Sequence, residues 1–139
     1  MKVGFAVLAD CANISREGKL NILGIFDSIQ AQQFPVTHPQ MQLVMRFEAD
    51  RAEAGKTKKV EVQLMDEDGK KLFVLGGEFA LGPGRPGEMI GSNHILMIHM
   101  MKFEHPGDYE FKILINDELK AEVPLKLLQF TPPRNEVSG

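Results

Sequence analysis

Apolar and polar residues alternate along most of this chain, and the stretch from Lys58 to Leu75 shows the pattern most plainly. Val60, Val62 and Leu64 alternate with Glu61, Gln63 and Met65, the period of two that gives a strand one buried face. Asp66-Glu67-Asp68-Gly69 follows, and Asp68-Gly69 suits a turn in which φ goes positive. Leu72 and Val74 continue the alternation on the way back, so the segment predicts a β-hairpin.

The same pattern recurs on both sides of it. Gly4 to Ala12 predicts a first strand with Phe5, Val7 and Ala9 on one face, ending at Asp10-Cys11-Ala12-Asn13. Leu20 to Phe26 predicts a second, in which Gly24 marks a bulge or a close backbone approach. Asp27 to Phe34 is more polar, either a continuation or a short edge strand, and Pro35-Val36-Thr37-His38-Pro39 predicts a loop. Met41, Leu43, Met45 and Phe47 then form one face of a strand ending at Ala49. Asp50 to Lys56 has room for a turn of helix at most. Gly76 to Leu81 extends the return strand or begins a new one, and Gly82-Pro83-Gly84-Arg85-Pro86-Gly87-Glu88 forms the most irregular loop.

Ile90 to Phe103 is apolar on both faces, as expected of a strand that is central in its sheet or covered by a partner. Tyr109, Phe111, Ile113 and Ile115 line one face of the next strand, and Leu119, Ala121, Val123, Leu125 and Leu127 one face of the last. Pro124 cannot donate to a ladder, so the last strand is expected to be an edge there. About eight strands with no credible helix predict an all-β fold. The expected architecture is a single two-sheet antiparallel β-sandwich, immunoglobulin-like or jelly-roll-like, over residues 1–130. The polar, proline-bearing segment 131–139 is expected to be a disordered tail.

Composition narrows the function classes. A chain of 139 residues has room for one domain that holds its own core. Its single cysteine, Cys11, forms no intrachain bridge, which fits a reducing cytoplasm. The net charge of −3, with both signs interspersed, lacks the basic footprint that neutralises phosphates, so nucleic acid is not an expected partner. The apolar run at Phe5 to Ala9 is too short for a secretory signal and is interrupted by Asp10. No run approaches the roughly 18 apolar residues of a membrane span, so no membrane partner is expected either.

Candidate chemistry is sparse. His94 and His99 are five positions apart, so on a strand they point to opposite faces and do not chelate one ion together; His38 and His105 sit in predicted loops. The carboxylates of Asp66-Glu67-Asp68-Gly69 are of the kind calcium accepts but lack the twelve-residue EF-hand pattern, and a hairpin turn accounts for them. A calcium site there requires Asp10, Asp27 or Asp108 to converge on the same end of the fold. The loop around Arg85 has neither the Gly-Lys-Ser/Thr ending nor the following helix of a phosphate loop. Cys11 lies in an apolar strand, where a thiol is usually buried and inert. No catalytic residue, metal ligand or cofactor-binding residue is singled out.

The methionines point to contact surfaces. Met97, Met100 and Met101 crowd into the strand without a polar face, and methionine is an adaptable residue at surfaces that bind protein. The leading expectation is therefore a non-enzymatic module for protein interaction or homo-oligomeric self-assembly, with Met97, His99, Met101 and Arg85 as interaction residues. The alternative is a small-ligand or carbohydrate-binding sandwich with a site in the loops around His38 and Gly82 to Glu88. A third is a metal-dependent cupin-like hydrolase or isomerase using His94 or His99.

The runs Ala9-Asp10-Cys11-Ala12-Asn13, Gly18-Lys19-Leu20-Asn21-Ile22-Leu23-Gly24-Ile25-Phe26-Asp27, Phe34-Pro35 and Leu43-Val44-Met45-Arg46 carry a resemblance. The chain resembles a family of short bacterial proteins of unknown function that open with Ala-Asp-x-Ala-Asn, a Gly-Lys-Leu-Asn turn and a Gly-Ile-Phe-Asp stop. The likeness extends to the Pro-Gly-Asp-Tyr-Glu-Phe strand and so spans nearly the whole chain. It implies a small cytosolic β-domain and brings no catalytic residues.

Overall fold

Alternating apolar positions fold into strands because a pleated backbone sends successive side chains to opposite faces. In the computed structural model, which describes residues 1–132, this gives β1 (Lys2–Ile14), β2 (Leu20–Phe26), β3 (Ser28–Ala31), β4 (Val36–Ala49), β5 (Thr57–Met65), β6 (Lys71–Ala80), β7 (Ile90–Phe103), β8 (Gly107–Ile115) and β9 (Glu118–Gln129). The helical composition of Asp50 to Lys56 yields a single 3-10 turn at Arg51–Glu53. Among the described residues the fold is all-β, with nine strands in two sheets.

The four-stranded sheet has the order β2-β1-β4-β7 and the five-stranded sheet the order β3-β9-β8-β5-β6, the latter curled into a half-barrel. The central hairpin forms as expected: β5 pairs antiparallel with β6, and Gly69 takes the positive φ of 82° in the turn. Asp66 Oδ1 holds that turn by accepting from the backbone N–H of Asp68 and of Lys70. One ladder departs from the expected antiparallel arrangement, since β3 runs parallel to β9. The polar Asp27–Phe34 stretch thus supplies a four-residue edge strand that crosses from one sheet to the other.

Both sheets bury side chains in one core. β4 contributes Met41, Leu43, Met45 and Phe47, β5 contributes Val62 and Leu64, β8 Tyr109, Phe111, Ile113 and Ile115, and β9 Val123, Leu125 and Leu127. These are the inward sets that alternation predicts, except that a register shift between Ile113 and Leu114 leaves Leu119 of β9 exposed; each large side chain fully removed from water contributes roughly 1.5–3 kcal/mol. β1 differs from expectation. Leu8 lies in the core with Val3 and Ala6 against it, while Phe5, Val7 and Ala9 face the other way. β1 is apolar on both faces, so its pattern does not single out the inner one.

Three further corrections follow from neighbours that the pattern does not reveal. The predicted loop at Pro35 to Pro39 is largely strand, because β4 begins at Val36 and pairs with β7 from Phe103 onward. In β6 a register shift beside Met65 brings Phe73 rather than Val74 onto the core. And β7 is the outer strand of its sheet, which removes the central position from the two settings expected for it. Pro124 agrees with expectation: β3 flanks β9 only from Lys126 to Gln129, so β9 is free on that side at Pro124. The tail expected over 131–139 lies, from 133 onward, outside the described residues.

Candidate functional site

β7 presents 14 residues along a sheet edge, with β4 hydrogen-bonded on one side and no strand on the other among the described residues. Long flat edges are normally guarded by charges or prolines, yet Lys102 is the one charged residue of β7. Leu96 and Ile98 turn inward to the core, so Ile95, Met97 and His99 turn outward. The alternation then breaks. Met100 has a positive φ of 52° and stands opposite Pro39, and past this point Met101 and Phe103 face the core.

Of the four interaction residues expected from the sequence, the fold therefore places Met97 and His99 together on the outer face and exposes both. Met101 is half-buried against the core, and Arg85 is exposed in the loop leading to the far end of β7. Met100 is exposed as well, at 67%, against 53% for Met97.

The outer face continues in register across the sheet. Residues directly opposite in an antiparallel ladder share a face, so Ile25, Ala9, Gln42 and Met97 form one row and Val7, Val44 and Ile95 the next. Cys11 and Leu23 add a third row, with Leu23 72% exposed. Contrary to expectation Cys11 is exposed, because this face of β1 looks away from the core. Gln42, the buried polar residue of the face, is satisfied: its Oε1 accepts from the Ala12 N–H at 2.7 Å.

A second feature adjoins β7. β6 and β7 are the free edges of the two sheets on one side of the core, and between them lies a cleft of about 230 Å³. Its walls include Met45, Phe47, Val60, Val62, Phe79 and Leu96, all core-facing, of which Met45, Phe47 and Val62 are buried and the other three half-buried. Gly77 stands opposite Val60 on the inward face of β6, and a Cβ placed there meets no atom within 4 Å. The Gly76-Gly77 pair is legible in the sequence as a break in a strand. That it opens a cavity depends on β7 lying across from it.

His94 is the polar side chain of this cleft. Its ring lies 5.0 Å from Phe47 and 4.5 Å from Phe79 between centroids, and its Nε2 is 2.6 Å from Ser92 Oγ. Burial lowers its pKa below the ordinary histidine value, so the ring is neutral at pH 7. At one end of the cleft Lys58, in register with Phe79, turns its Nζ to Glu53 Oε1 at 2.7 Å. That hydrogen bond, with the Asp50 N–H and the Met1 ammonium in support, holds the Glu53 carboxyl down at about 2.

The remaining candidates are dispersed. His94 faces inward and His99 outward, as their spacing requires. His38, half-buried beside Phe26, pairs with Met101, whereas the Gly82 to Glu88 loop leads into Ile90 at the opposite end of β7. At about 3.4 Å per residue the fold sets these two parts of the expected loop site some 35 Å apart. Among the described residues no three His, Cys, Asp or Glu side chains converge to hold a metal ion. No helix among them is long and apolar enough to cross a membrane.

Comparison with known proteins adds a family and little else. A search of curated protein sequences returns no match. Among solved structures, the chain is similar to the Pseudomonas fluorescens alkylpurine DNA glycosylase AlkC bound to DNA containing an abasic site analog, with a TM-score of 0.46 and 16% identity. That similarity covers 73% of this chain but spans only 27% of the glycosylase. A family model matches residues 4–128, nearly all of the two sheets, and the chain accordingly belongs to the Family of unknown function (DUF6941).

Proposed function

We propose that this protein is a non-enzymatic interaction module that associates through the β7 edge, with a second copy of the chain as the first candidate partner. The carrying observation is the 14-residue open edge with one charged residue and with Met97 and Met100 exposed beside it. Strand addition to such an edge satisfies backbone groups that otherwise bond only to water, and the flanking side chains supply apolar contact. A twofold β7–β7 pair is self-complementary. With Lys102 the sole charge, it sets like charges opposite each other only if centred on that residue. On this reading the two sheets act as a β-sandwich scaffold in the cytoplasm, which its single exposed thiol suits.

The test is sedimentation of the purified protein over a wide concentration range, beside the Met97→Lys/His99→Lys double variant. The wild type should show the mass of a multimer, and the variant should dissociate at least tenfold more readily. A wild type that stays monomeric throughout, with unchanged behaviour in the variant, overturns self-association. A stoichiometric partner protein recovered with the wild type and lost with the variant would assign the same edge to a heterologous contact.

A further inference from the structure

We infer that the cleft between β6 and β7 is a binding site for a small, neutral, largely apolar ring compound carrying one hydrogen-bonding group, which His94 receives. The inference rests on the cleft and is independent of association through the β7 edge.

Size sets the first limit. An apolar cavity of roughly 150 Å³ holds one benzene molecule, so 230 Å³ open on one side holds a bicyclic ring with a substituent. The walls set the second. Phe47, Phe79, Val60, Val62, Met45 and Leu96 offer apolar contact, and the Phe47 and Phe79 rings are close to parallel, 19° apart at 5.8 Å. Glu78 is the one charged residue on the lining, and it pairs in register with Lys59. No cation lines the cleft, and Lys58 at its end is already taken up by Glu53, so a carboxylate would find no free cation and the ligand is neutral.

Gly77 gives an independent reason. Glycine inside a strand costs roughly 0.5–1 kcal/mol against a residue with a side chain. The usual justification, a close backbone approach, is absent, because nothing lies within 4 Å of the Cβ position. Its φ is not in the left-handed region either. The missing side chain serves to keep the space above Val60 vacant.

The polar handle is adaptable. With Ser92 Oγ on Nε2, the other ring nitrogen of His94 is left for a ligand. The serine hydroxyl can donate or accept, so Nδ1 accepts from a ligand hydroxyl in one tautomer and donates to a ligand carbonyl in the other.

The probe is 2-naphthol, with naphthalene and 2-naphthoate as comparisons, followed by titration in heteronuclear NMR. 2-Naphthol should bind saturably, shifting His94, Gly77 and Phe79, and at least tenfold more tightly than 2-naphthoate. Gly77→Val should abolish binding while melting at the same temperature or higher, since the new side chain enters open space in a strand. Val60→Phe, filling the same space from β5, should do likewise. His94→Phe should keep naphthalene and lose the preference for 2-naphthol over it. The inference is overturned if neither 2-naphthol nor naphthalene binds saturably up to its solubility, or if Gly77→Val and Val60→Phe leave binding intact. Repeating the titration on Met97→Lys/His99→Lys separates this outcome from any failure of self-association.

Discussion

Glu53 ties together three donors from separate parts of the chain. Its carboxylate gathers the Lys58 ammonium, the Asp50 N–H and the Met1 ammonium, and its pKa falls from 4.5 to about 2. A carboxyl with a depressed folded pKa stabilises the native state above its unfolded value and loses that contribution as pH falls through the folded one. Glu53→Gln should therefore cost about 1–3 kcal/mol in urea unfolding at pH 7, and the difference from wild type should shrink between pH 4.5 and 2. His94 works in a higher window. Burial lowers its pKa from 6.5, so the unfolded chain takes up its proton first and stability falls as pH drops below 6.5. Melting curves from pH 7.5 to 5 should show that slope, and His94→Phe should flatten it. Gly24 is a third case. It holds φ at 74°, and a Cβ there would run into the Asp10 carboxylate. Gly24→Ala should destabilise by about 1–2 kcal/mol in the same unfolding assay. The sequence shows Gly24 as a special position in a strand; it does not show that Asp10 is what approaches.

At the scale of elements, the hairpin β5–β6 is the best-marked unit because its information is local: alternation on either side and a turn written in adjacent residues. Asp66 closes it by accepting two backbone N–H bonds with one oxygen. Asp66→Ala should lower stability by about 1–2 kcal/mol, with amide exchange at Asp68 and Lys70 rising first. The strand β7 is the opposite case. Its apolar character on both faces is plain in the sequence, but a strand buried between neighbours and an exposed edge awaiting a partner read alike. The sheet order separates them, since β4 flanks β7 on one side alone. Met101 shows the same limit at finer grain: alternation groups it with Met97 and His99. The Pro39–Met100 irregularity turns it to the core.

For the whole molecule, the consequence of one shared core is cooperativity. Phe111 of β8 lies between Leu64 of β5 and Val123 of β9, is fully buried and belongs to the same cluster as Met41 and Leu43 of the other sheet. Phe111→Ala should cost about 3–5 kcal/mol and lower a single unfolding transition followed alike by far-ultraviolet circular dichroism and tyrosine fluorescence. Two separate transitions would show that the sheets unfold independently. What the sequence determined by itself is everything that follows from short-range periodicity and turn chemistry: the all-β class, most strand positions, the inward faces of β4, β5, β8 and β9, and the opposed directions of His94 and His99. Those depend on a residue's own neighbours in the chain. The parallel pairing of β3 with β9, the edge position of β7 and the β6–β7 cleft were decided only by the tertiary structure. They arise between segments far apart in sequence, where many pairings satisfy the same local pattern, and the shared burial of both sheets selects among them.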